Sequence, residues 1–185
     1  MANGAYVIAE GHYLIGMITY SRTGADKQGG QDIYRAGDTL AADARYLRSW
    51  TPELTTVFSL SYQTQGKSES LSQGGVLNSE LANSNNNVWE ALVNTSWRYS
   101  STFSYLLMAG YKQVLANGYS PGDSLYDGGR IRAFVEPGVT WRFNPVAYVT
   151  LKGRYSYLQD KQDAFAAQDT AYHVFNLDAA LVFNY

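Results

Sequence analysis

The sequence predicts an all-β fold, an up-and-down antiparallel β-barrel of eight strands, and three observations lead to it. Most of the chain falls into stretches where apolar and polar residues alternate, as they do in a strand with one apolar face. The breaks between these stretches alternate between short and long. Aromatic residues are abundant, with 16 Tyr, 7 Phe and 4 Trp, although the mean hydropathy is only −0.28. We expect one domain spanning residues 1–185.

The alternating stretches are each about long enough for a tilted strand to cross a bilayer, which takes about 9–11 residues. They cover residues 5–22, 38–50, 55–65, 88–99, 102–114, 130–143, 147–158 and the segment from about residue 171 to the end. The breaks at 51–54, 100–101 and 144–146 are short, and those at 23–37, 66–86, 115–129 and 159–170 are long. Short turns at one end and long loops at the other are typical of transmembrane barrels with periplasmic turns and extracellular loops.

Charged residues within the stretches favour one parity, which predicts a charged face that lines the barrel interior. In the first stretch the even positions carry charge, so its odd positions are assigned outward. We expect the interior residues to form a connected salt-bridge network that largely plugs the lumen, because unpaired charges in a narrow barrel are costly. The predicted network comprises Glu10, His12, Asp43, Arg45, Glu90, Arg98, Lys112, Arg132, Glu136, Arg142, Lys152, Arg154 and Asp178.

Aromatic residues of the opposite parity cluster towards the two ends of the stretches, with Leu, Val, Ala and Gly between them. This is the distribution expected of a lipid-facing surface with two aromatic girdles. The predicted interface aromatics are Trp50, Tyr62, Trp89, Trp97, Tyr99, Phe103, Tyr105, Tyr111, Trp141, Phe143, Tyr157, Phe175, Phe183 and Tyr185. A soluble lipocalin-like barrel is the alternative, but its narrow interior would have to hold all of these rings.

Two residues deviate from the pattern on the outward parity. Arg48 lies near the short-turn end, where its side chain can reach the head groups. Pro137 lies inside the sixth stretch and lacks an N–H for the strand ladder. We therefore expect a β-bulge at Pro137 and Gly138.

The end of the chain carries a short motif made of Asp178, Ala180, Phe183 and Tyr185. It is similar to the C-terminal signal by which bacterial outer-membrane barrels are recognised by their assembly machinery, although Ala replaces the usual glycine and Tyr the commoner terminal Phe. The whole chain resembles the eight-stranded barrels of the OmpA and OmpX type in architecture. The resemblance implies a bacterial outer-membrane location with both termini periplasmic, and contacts with outer-membrane lipid, lipopolysaccharide and the barrel-assembly machinery.

Composition narrows the function further. The chain has no Cys, two His and a net charge of −2, which excludes thiolate chemistry and gives no support for nucleic-acid binding. We expect no cofactor and no metal, and a structural or surface-interaction role with at most narrow-pore permeation. Membership of a larger membrane assembly is left open. A solute channel or pore subunit is one alternative. A lipid-modifying enzyme using His173 is another, but we expect no catalysis because its strand offers no serine two residues on.

Overall fold

The computed structural model describes residues 1–163, 165 and 168–183, and within them the fold is all-β and antiparallel, with thirteen strands and no helix. Nine strands form the main sheet, each hydrogen-bonded to the next along the chain. They are β1 (Ala2–Ala9), β2 (His12–Ser21), β5 (Thr39–Ser49), β6 (Leu54–Gln65), β9 (Val88–Arg98), β10 (Phe103–Val114), β11 (Arg130–Asn144), β12 (Ala147–Asp160) and β13 (Thr170–Phe183).

The predicted number of eight strands is wrong, because the first alternating stretch is a hairpin rather than one strand. A two-residue turn at Glu10 and Gly11 separates β1 from β2, and Gly11 has the positive φ of 73° that such a turn requires. The pairing of Ala9 with His12 closes this hairpin. A register shift between Val7 and Ala9 adds a local irregularity to β1.

Four short strands form a second sheet out of two of the long loops, in the order β3-β4-β7-β8. They are β3 (Asp26–Gln28), β4 (Gln31–Arg35), β7 (Glu69–Leu71) and β8 (Leu77–Ser79). The loop between β2 and β5 therefore pairs with the loop between β6 and β9. These two loops thus form a separate four-stranded sheet beyond the long-loop end of the main sheet.

The main sheet is open, since β1 and β13 make no contact with each other in the described part of the chain. With nine antiparallel strands, both edge strands run from the long-loop end to the short-turn end. Ala2 pairs with Ile18 near the loop after β2, whereas Phe183 pairs with Ala147 beside a short turn. In this sheet Ala2 and Phe183 therefore lie at opposite ends, whereas the expected periplasmic location of both termini would place them at the same end.

Pro137 sits in β11 without a bulge. It lies opposite Leu107 of β10, and the pairing of β11 with β12 keeps one register on both sides of it, from Val135 with Tyr155 to Gly138 with Lys152. The ladder with β12 simply omits the pairs at Glu136 and Pro137. The predicted bulge is wrong, because the strand accommodates the missing donor by leaving a gap in one ladder.

Neither face of the main sheet is covered. Ala147 is the only buried apolar residue among those described. The accessible surface is 12344 Å², whereas a compact monomer of this mass exposes about 8,800 Å². Within the described residues, the main sheet therefore has almost no buried apolar core.

Candidate functional site

The strand register divides the main sheet into two chemically distinct faces. One, here called the aromatic face, carries rows such as Ala44, Leu60, Ala91, Tyr111 and Ala133, which lie opposite one another on successive strands. The other, the charged face, carries the alternate positions. From β5 to β13, each face of the main sheet carries the residues that the alternation in the sequence assigned to it.

Every ionisable residue predicted for the interior from β5 onwards lies on the charged face. The set contains seven cationic and four anionic side chains, namely Arg45, Arg98, Lys112, Arg132, Arg142, Lys152 and Arg154 with Asp43, Glu90, Glu136 and Asp178. This face therefore has an excess of positive charge.

The predictions for Glu10 and His12 are wrong. Glu10 lies in the first hairpin turn, and His12 pairs with Arg48, which places it on the aromatic face. His12 Nδ1 lies 2.7 Å from the Tyr46 hydroxyl oxygen on that face. The error comes from Glu10, a turn residue whose charge was taken to mark the inward parity of the first stretch. Both β1 and β2 carry their even positions on the aromatic face.

The aromatic face carries large apolar side chains that nothing in the described part of the chain covers. Leu60 is 50% exposed and Leu107 is 49% exposed, both near the middle of their strands. Towards the strand ends the rings pack side by side, as in the stacked pair of Phe103 and Trp141, whose centroids are 5.8 Å apart. Trp97 and Tyr105 lie 5.7 Å apart in the same band.

Arg48 is the single Arg or Lys on the aromatic face among the described strands of the main sheet. Its guanidinium carbon lies 3.5 Å from the centroid of the Trp50 ring. Arg48 therefore stacks on an indole at the short-turn end of the sheet, a favourable contact between a cation and an aromatic face. Trp50 itself donates a hydrogen bond to Thr56 Oγ1 at 3.1 Å.

Glu136 is the most buried charge of the charged face, only 4% exposed. Arg154 Nε donates to its Oε2 at 2.6 Å, and Lys152 Nζ lies 3.8 Å from its Oε1. The Arg154 guanidinium also stacks on Phe134, 4.4 Å from the ring centroid. Two cations therefore share one carboxylate, next to an open groove of about 820 Å³ between β11 and β13.

The remaining charges do not form the predicted connected network. Glu90 pairs with Lys112 at 3.6 Å across β9 and β10. Within the described residues, no ion pair reaches Asp43 or Asp178 or any of four arginines, namely Arg45, Arg98, Arg132 and Arg142. The ion pairs of Glu90 and Glu136 join neighbouring strands, because strands that are not neighbours make no contact in this open sheet.

The two histidines each contact a tyrosine hydroxyl. His173 Nδ1 lies 2.6 Å from the Tyr155 hydroxyl oxygen, and its ring packs against Tyr157 with 5.4 Å between centroids. No Ser or Thr hydroxyl is hydrogen-bonded to His173 in the described part of the chain. These contacts provide His173 with a polar partner at the long-loop end and no nucleophile.

An asparagine-rich tract, 83–86, joins the long loops, and sequence reasoning missed this role. Asn83 Nδ2 donates to the Gln65 carbonyl at 2.7 Å, and Asn83 Oδ1 accepts from the Asn85 N–H at 3.0 Å. Asn85 donates to the Gly66 carbonyl at 2.8 Å and Asn86 to the Leu115 carbonyl at 2.6 Å. A run of Asn between strands is the one sequence signal that pointed to side-chain hydrogen bonding to backbone.

Two carboxylates fix the loops. Asp38 accepts a hydrogen bond from the Tyr20 hydroxyl, which lowers the pKa of Asp38 from its ordinary value. Burial of Glu80 acts to raise its pKa, but hydrogen bonds from Ser84 and Ser68 and the charge of Lys67 outweigh it, and the pKa of Glu80 is lowered. The Ser68 N–H donates to Glu80 Oε1 at 2.8 Å.

The proposed assembly motif divides between the two faces. Asp178 and Ala180 lie on the charged face, opposite Lys152 and Thr150, and Phe183 lies on the aromatic face. Tyr185 lies outside the described residues.

Comparison with protein-family models, with curated proteins and with solved structures finds no match to this chain. No helix of the described chain is long and apolar enough to cross a bilayer. No group of three or more His, Asp or Glu side chains in the described chain is arranged to hold a metal ion. Function must therefore be argued from the two faces of the sheet.

Proposed function

We propose that this protein is an integral outer-membrane β-barrel protein whose aromatic face contacts lipid and whose charged face lines the interior. The uncovered aromatic face supports this proposal most directly. Apolar side chains at mid-strand and rings at the strand ends match a bilayer, which has a hydrocarbon centre and amphipathic boundaries. Lipid would cover the surface that the chain leaves open.

A soluble barrel fits these observations poorly. Burying the aromatic face inside a closed barrel would crowd its rings into a narrow interior.

The role that we propose for the barrel is structural or surface interaction. The second sheet and the joined loops give the long-loop end an ordered surface, which suits contact with lipopolysaccharide or a partner outside the cell. Phe183 with Asp178 and Ala180 would present the C-terminal strand to the assembly machinery.

A solute channel is the second candidate, and the unpaired arginines favour it. Within the described residues no ion pair reaches Arg45, Arg98, Arg132 or Arg142, so these side chains need water, as the wall of an aqueous lumen provides. Planar-bilayer recordings test this function. Stable conductance steps with anion preference are expected of a channel, and an electrically silent protein in the membrane leaves the structural role.

Folding into lipid vesicles tests the membrane assignment. Urea-unfolded protein diluted into vesicles should float with the lipid and migrate faster on a gel before boiling than after, as folded barrels do. A folded, monomeric protein that stays in the aqueous fraction would contradict the assignment.

A further inference from the structure

In the described part of the chain, the outer edges of β1 and β13 pair with no other strand, so their backbone N–H and C=O groups are free. The two edge strands run in the same direction. An exposed edge is a template for pairing with another strand. In a bilayer it is also costly, because no water there satisfies free N–H and C=O groups. Each edge therefore requires a partner strand, an inference that rests on the proposed membrane location.

We propose that the partner is a second copy of this chain, so that two copies close into one barrel of about 18 strands. Two copies inserted in the same sense place β13 of one beside β1 of the other, and the two seams are identical. A two-fold axis exchanges the two seams, which together form the isologous interface of a C2 dimer. Both seams are parallel ladders, since β1 and β13 run in the same direction.

The charged face favours two copies over closure of a single chain. A barrel of about eight or nine strands has an interior just wide enough to be filled by side chains. Contacts within the main sheet join neighbouring strands only, and the cations outnumber the anions. The four arginines without an ion pair require hydration, which the aqueous lumen of a wide barrel supplies.

The side chains of the two edges are complementary in size. On the aromatic face, β1 presents Ala2 and Gly4, which border an open apolar groove of about 650 Å³. On the same face β13 presents Phe175 and Leu177, which are 68% and 72% exposed.

One parallel register sets the small residues of β1 against the large residues of β13. It places Ala2 beside Phe175 and Gly4 beside Leu177. It also keeps the two faces continuous across the seam. On the charged face the same register sets Asn3 beside Asn176.

Disulfide trapping tests the seam cleanly, because the chain has no cysteine of its own. The double variant Asn3→Cys with Asn176→Cys is folded into vesicles and oxidised. We expect a covalent dimer on a denaturing gel. Mixing tagged and untagged copies should give a mixed dimer.

A matched control uses Asn3→Cys with Val182→Cys, since Val182 lies six residues further along the charged face of β13. At about 3.3 Å per residue this pair is displaced by roughly 20 Å and should not cross-link. Flotation with lipid is measured on both variants, so that failed membrane insertion is distinguished from a wrong partner. Among inserted protein, an intramolecular disulfide would show that one chain closes on itself and overturn the proposal. A larger ring, or no cross-link at all, would overturn it too.

Discussion

Among single residues of the charged face, Glu136 is the one where loss of the negative charge should destabilise the protein most. Its carboxylate accepts from Arg154 and lies beside Lys152, while it is itself almost wholly buried. Replacement by a neutral amide leaves both cations without a counter-charge. The substitution preserves size, so the effect reports on charge.

Glu136→Gln should lower the free energy of unfolding by about 1–3 kcal/mol, measured by urea titration in detergent micelles. Glu90→Gln is the matched control. Its pair with Lys112 is 3.6 Å long and both side chains are 46% exposed, so its loss should cost below about 1 kcal/mol. Equal effects of the two substitutions would contradict the special role of Glu136.

Adjacent residues of β6 test which face meets lipid. Leu60→Lys puts a cation at mid-strand on the aromatic face and should cost about 2–4 kcal/mol for folding into vesicles. Ser61→Lys puts the same side chain between Asp43 and Glu90 on the charged face and should cost little. Folding yield is read from gel mobility before boiling. The opposite order of effects would reverse the assignment of faces.

At the scale of elements, the loops depend on hydrogen bonds to Asn83. Asn83→Ala removes its donation to Gln65 and its acceptance from Asn85, which should destabilise the loop by about 1–3 kcal/mol. Hydrogen exchange of the loop amides measures this change. Asn87→Ala is the control, because the Asn87 side chain makes no hydrogen bond in the described chain; equal exchange in the two variants would count against the role of Asn83.

Glu80 gives the second sheet a pH dependence. Its pKa is lowered in the folded state, so its ionised form stabilises the loop above the unfolded pKa. That contribution should disappear as the pH falls through the lowered pKa of Glu80. The amide exchange of Ser68 should therefore accelerate, relative to the chemical rate, in mildly acidic solution. A Glu80→Gln variant should show no such acceleration, and an unchanged response in that variant would exclude Glu80 as the cause.

The elements also show how far the sequence could predict the fold. Alternation and loop length indicate every strand from β5 onwards that belongs to the main sheet, because each of these strands exposes two chemically different faces. The turn at Glu10 and Gly11 is hidden inside a continuous alternating run, so Glu10 was counted as a strand residue and its charge assigned His12 to the wrong face. The second sheet is also hidden, since β3, β4, β7 and β8 are short and polar and pair only through contacts between distant loops.

At the scale of the whole molecule, one extra strand changes the architecture. Eight antiparallel strands close with an antiparallel seam, whereas nine leave β1 and β13 running in the same direction. Closure depends on what lies beside each edge, which local alternation does not encode. The residues of the charged face from β5 onwards were predicted from the sequence, but their ion pairs were not, because ion pairs depend on the curvature of the sheet.

The natural tryptophans can show, without any substitution, whether the aromatic face lies against lipid as proposed. Trp89, Trp97 and Trp141 all lie on this face, 41%, 44% and 46% exposed. Protein folded into vesicles whose acyl chains carry bromine should lose most of its tryptophan fluorescence relative to unbrominated vesicles, with little quenching by aqueous acrylamide. Fluorescence that bromine leaves unchanged and acrylamide quenches would contradict the account.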